Sequence, residues 1–207
     1  MSNIQEIITS VLEAEQASML PDPDELSYYI LEKERKIYLD FDIDDNVLTI
    51  QRMIMRWNME DKGKKEEDRK PIWIYIMSYG GHLDYMWSLI DAMEASATPV
   101  YTVNIGVCCS AAALLFIAGK RRYMTKNGKV VIHEGSASVA GDAVKVLDAS
   151  DSYKKELKKM KDYIANNTKI PRATINKKKN NDWELDADYC LENGVCTCIV
   201  SNLEEVI

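Results

Sequence analysis

The chain has 207 residues, enough for one domain with a sizeable core or a domain plus an arm. Hydrophobic residues make up 46%, too many for a disordered chain. The 33 Asp and Glu outweigh 26 Lys and Arg, and a net charge of -7 excludes a global attraction for nucleic acid or an anionic membrane.

The longest apolar run, Val107 to Gly119, is interrupted by Ser110 and is too short to span a bilayer. The start, Met1-Ser2-Asn3-Ile4-Gln5-Glu6, lacks the basic residues and apolar stretch of a signal peptide, so a cytoplasmic location is the default expectation. Five cysteines, an odd number, cannot form a fully paired intrachain framework. Cys108-Cys109 and Cys196-x-Cys198 also lack zinc-ligand spacing, so no metal site is expected and the thiols read as small hydrophobes. Only His82 and His133 are available for imidazole chemistry.

In chain order, Ile4, Ile7, Ile8, Val11 and Leu12 predict an amphipathic helix over 3–17, broken by Pro21-Asp22-Pro23-Asp24. Lys36 to Phe41 reads as a strand. A helix comes next, with Val47, Ile50, Ile54 and Trp57 on one face. Met59 to Lys70 is a charged connection. Ile72 to Met77 reads as a strand buried on both faces, and Gly80-Gly81 then leads into a helix carrying Leu83, Met86, Trp87, Ile90 and Met93. Val100 to Ile105 is a strand, Ser110 to Ala118 a small-residue helix, Lys129 to His133 a strand, and Asp142 to Thr168 a long helix. Strands alternating with helices predict an α/β fold with a largely parallel sheet.

Three strand ends deliver polar or flexible residues. Ser78-Tyr79-Gly80-Gly81 lets backbone N–H groups approach a ligand without a Cβ in the way, although a Gly-Gly pair is most often just a turn. Ser110 opens a helix of small residues, Ala111-Ala112-Ala113. Locally this pattern favours a helix cap. A nucleophile is the functional reading, with the helix N-terminus steadying a developing oxyanion. It is not a G-x-S-x-G elbow, because Cys108 and Ala112 stand where glycines would be. His133 ends the apolar strand Val130-Val131-Ile132; such a histidine is more often structural, but scarcity of imidazoles raises its functional weight. No phosphate loop, dinucleotide fingerprint or metal box is present, and no cofactor is expected.

From about Leu31 to the C-terminus these residues resemble the Clp (caseinolytic) serine peptidases, the proteolytic subunits of an ATP-dependent machine. Ile76-Met77-Ser78-Tyr79-Gly80-Gly81 matches the family's Asn-Ser-Pro-Gly-Gly strand end. Gly106 to Leu115 matches its nucleophile motif, and Val131-Ile132-His133 its Met-Ile-His motif. Asp182-Trp183 with the later Glu192-Asn193-Gly194-Val195 matches the segment of its acid, and Leu31 to Leu39 looks like its first strand. The resemblance implies the Clp peptidase/crotonase-like fold: stacked parallel-sheet turns with helices and a projecting handle helix. It implies a catalytic domain over 28–207, and the amphipathic segment read from the helical spacing, taken as an arm over 1–27, replaces the family's N-terminal gate.

It also implies a serine endopeptidase with Ser110 as nucleophile, His133 as general base and Asp182 as the acid that orients the imidazole. The backbone N–H groups of Gly81 and Ala111 would form the oxyanion hole. Implied partners are a peptide or unfolded-protein substrate, further copies of the chain in a heptameric ring, and an ATPase unfoldase. The residues alone do not choose Asp182 over Asp186 and Asp188, and they leave His82 and Cys109 as competitors for base and nucleophile.

Departures from the family pattern weigh against some of these implications. Tyr79 and Met77 replace a proline and an asparagine beside the glycines. Glu134 to Gly141 replaces the family's Gln-Pro and Gly-Gly stretch, Asn181 replaces an arginine used between rings, and Ala95 replaces an aromatic of the ATPase-docking pocket. They weaken the expectation of a double ring and of the usual ATPase, and point to a specialised or phage-type relative. A catalytically silent ring or scaffold subunit and a crotonase-type acyl-CoA enzyme are the alternatives.

Overall fold

The computed structural model describes residues 23–135, 138–178 and 182–206. The chain divides into two compact units, 1–36 and 37–207. In the first, helix α1 (Pro23–Lys33) starts on a proline, whose fixed φ suits the first helical turn, and ends on a basic residue. Arg35, two residues on, has φ 57°, in the left-handed region that terminates helices. The helix expected over 3–17 lies outside the described residues, and α1 runs across the division expected at residue 28. Leu31–Lys33 is therefore helical, and strand structure begins only at β1 (Lys36–Leu39).

The second unit is a parallel-rich sheet backed by helices. Its remaining elements begin with α2 (Val47–Glu60), β2 (Ile72–Ser78), α3 (Leu83–Ala95), β3 (Val100–Cys109) and α4 (Ala111–Ile117). They continue with β4 (Arg121–Thr125), β5 (Lys129–Ile132) and α5 (Ala143–Asn167). Last come α6 (Arg172–Lys177), β6 (Trp183–Leu185), α7 (Ala187–Glu192) and β7 (Cys198–Val200). The strand order is β1-β2-β3-β4-β7, with β5 branching from β3 and β6 from β5.

That branch creates the site. The first half of β3, Tyr101–Asn104, pairs in parallel with β4, whereas Val107–Cys109 pairs in parallel with β5. The strand is longer than the sequence pattern suggests because Ile105 and Gly106 carry it through a kink, where its register with β2 shifts between Ile76 and Ser78. Fully buried Asn104 spans the kink: its Oδ1 accepts from the Gly106 N–H at 3.0 Å, and its Nδ2 donates to the Lys129 carbonyl at 2.9 Å. A buried amide of this kind satisfies backbone groups that the ladder abandons.

All seven residues of α4 are buried, so this helix forms the centre of the core, with the apolar faces of α2 and α3 packed in the same cluster. The stripes Val47, Ile50, Ile54, Trp57 and Met86, Ile90, Met93 are those the helical spacing predicts. The long helix α5 is mostly exposed and anchors to the core through Met160 and Ile164. No helix among the described residues is long and apolar enough to cross a membrane.

Candidate active site

Ser110 sits at the junction of β3 and α4 with φ 57° and ψ -122°. A residue with a Cβ pays about 1–3 kcal/mol for such a conformation, so the surroundings must impose it. The Ser110 N–H donates to the Val131 carbonyl of β5 at 2.9 Å, fixing the turn from outside the helix. The cap favoured by the local sequence does not form: the hydroxyl makes no capping bond, because this backbone is not that of an ordinary N-cap. Among the described residues it makes no hydrogen bond to His133 either.

The glycine pair lies against this turn. A Cβ on Gly80 would stand 2.8 Å from the Ser110 Cβ and from the Cys109 carbonyl oxygen, and 3.1 Å from the Ala111 nitrogen. Gly81, at φ 151°, is clasped by Ile43, whose carbonyl oxygen would lie 2.2 Å from an added Cβ. Ile43 donates to the Gly80 carbonyl and accepts from the His82 N–H, both at 2.8 Å. Buried Ser78 holds the entry: its hydroxyl donates to the Phe41 carbonyl at 2.7 Å and accepts from the Gly80 N–H at 3.2 Å. The Gly81 and Ala111 amides are not committed to another backbone acceptor among the described residues. Ala111 begins a helix, where such donors are left over by geometry.

The imidazole half comes from another edge. β5 and β6 run antiparallel with Val130 opposite Leu185, Val131 opposite Glu184 and Ile132 opposite Trp183. One further step sets His133 opposite Asp182, and the His133 Nδ1 lies 3.2 Å from an Asp182 carboxylate oxygen. The histidine side chain is 31% exposed and the carboxylate 72%.

The competing residues are occupied otherwise. Asp186 caps α7 by accepting from the Tyr189 N–H at 2.8 Å, and Asp188 lies exposed in the first turn of that helix. Aspartate just before a short helix is a capping signal that the sequence carried. His82 is exposed beside the Tyr85 ring. Cys109 ends β3, half-buried; burial first, then the charges of Asp182 and Glu184, push its thiol up, away from the thiolate a nucleophile needs. Asn181 lies outside the described residues.

The α/β architecture, with a parallel sheet and helices, is that of the Clp peptidase/crotonase-like fold. Residues 24–202 match the family described as Clp protease, and the chain belongs to that family. It is 31% identical over 138 residues to ATP-dependent Clp protease proteolytic subunit 2 of Treponema pallidum (strain Nichols), covering 66% of this chain and 67% of the relative. It is 30% identical over 143 residues to the protein of the same name from Treponema denticola, covering 66% of this chain and 70% of the relative. Family membership supports a peptidase role.

Proposed function

We propose that this chain is a serine endopeptidase in which Ser110, His133 and Asp182 act together. The observation that carries the reading is the Asp182 carboxylate 3.2 Å from Nδ1 of a histidine whose strand also holds the Ser110 turn. In the reaction, the Ser110 hydroxyl attacks a peptide carbonyl while His133 Nε2 takes its proton. Asp182 holds the imidazole with Nδ1 protonated and stabilises the cation. The N–H groups of Gly81 and Ala111 receive the oxyanion. His133 then protonates the leaving amine, the acyl-Ser110 ester forms, and water deprotonated by His133 hydrolyses it. A serine not yet bonded to its base belongs to the resting site, since such bonds often tighten only when substrate binds.

Homo-oligomeric assembly into a ring, with a peptide or unfolded protein as substrate, is inferred from the family and belongs to the same proposal. An ATPase partner is not part of it, given Ala95. The alternative of a silent ring or scaffold subunit draws on one observation, the Ser110 hydroxyl unbonded to His133. Cleavage of short fluorogenic peptides by the wild type and by Ser110→Ala separates the two. Turnover lost only in the variant supports the peptidase. Equal turnover in both refutes it, and an inert wild type in its assembled form favours the scaffold.

A further inference from the structure

His133 lies just beyond the last ladder residue of β5, so the ladder alone does not fix where its imidazole points. The next residue, Glu134, is held at two points. Its carboxylate is ion-paired with the Lys161 ammonium, and its carbonyl accepts a hydrogen bond from the Tyr153 hydroxyl. Both partners belong to α5, about two turns apart. One residue is thus gripped at its side chain and at its backbone by a single rigid element.

The setting makes the ion pair matter. Lys161 is 17% exposed and Glu134 28%, far less than the surface pairs elsewhere in the chain, such as Lys154 with Asp151. His133, Glu134 and Lys161 line one narrow cavity of about 20 Å³, whose other walls include Leu157, Met160 and Trp183. With both side chains mostly buried, the pair is less screened than those surface pairs. Removing either partner leaves the other charge half-buried without compensation. Lys178 also lines the cavity, its ammonium over the Trp183 ring, so loss of Glu134 would leave two cations along the same wall.

We propose that Glu134, Lys161 and Tyr153 form a positioning clamp that couples α5 to the His133 imidazole. The inference rests on the reading of His133 as the general base. Lys161 and Tyr153 are positioning residues: they act through Glu134 and touch no reacting atom.

The test uses the full chain and two readouts. Because the chain has only two histidines, imidazole NMR signals can be assigned with a His82→Asn variant. Lys161→Met, which keeps the apolar stem, should shift the His133 signals and leave those of His82 in place. It should also lower kcat about 10–100-fold with little change in KM, as misplacement by about 1 Å does. Glu134→Gln and Tyr153→Phe should act in the same direction more weakly, and the charge reversal E134K/K161E should restore part of the loss. Unmoved His133 signals in Lys161→Met, or an effect confined to KM, would overturn the clamp. An inert wild type whose His133 signals still respond to Lys161→Met would defeat the peptidase reading and support the coupling.

Discussion

The two halves of the candidate site are built differently. Ser110 and the glycine pair are fixed by the central parallel strands, by Ile43 and by a helix whose every residue is buried. His133 lies just past the end of the four-residue β5, and Asp182 just before the three-residue antiparallel β6, with the carboxylate 72% exposed. The first half is closely packed around a strained turn. The second is held by a few polar contacts and is more exposed. On the proposed reading, the oxyanion donors are preorganised and the base is the less tightly held part.

Breaking the closely packed half at its reacting atom gives the largest effect. Ser110→Ala should lower kcat roughly 10⁶-fold while leaving the fold intact, checked by peptide turnover and circular dichroism. In the more exposed half, Asp182→Asn should cost roughly 10³-fold, less than the roughly 10⁴ seen when a buried triad aspartate is replaced, because water reaches this carboxylate. Gly80→Ala pushes a methyl group onto the Ser110 Cβ and the Cys109 carbonyl, and should cost about 10²-fold in kcat with Ser110 displaced.

A stability measurement sharpens the contrast. Ser110→Gly removes the penalty of φ 57°, so it should be more stable than Ser110→Ala by about 1 kcal/mol, roughly 2–4 °C in Tm. Equal melting temperatures would mean the turn is not strained. Smallest of all, Cys109→Ala should retain near-wild-type turnover, since burial and its acidic neighbours hold that thiol protonated.

The same contrast governs how much could be read from the sequence. The buried strands, the Gly80-Gly81 turn, the small-residue helix and the apolar strand ending in His133 are local patterns, and each is visible in a few consecutive residues. The choice of Asp182 over Asp186 and Asp188 is not local. It depends on the antiparallel register of β6 with β5, and a strand of three residues carries too little periodicity to announce itself. β4 and β7 escape for the same reason, being short and only partly buried. The kink in β3 is equally hidden, because Asn104 reads as a polar interruption until its two hydrogen bonds are seen. Ser110 shows the reverse case: its local pattern points to a cap, and tertiary contacts impose a backbone that prevents one.

The claim that the two halves work as one reactive centre is tested most directly by mapping a fluorophosphonate adduct with peptide mass spectrometry. A single adduct on Ser110, lost in His133→Ala, is the predicted result. Labelling of Ser110 that is indifferent to His133, or an adduct elsewhere in the chain, would contradict it.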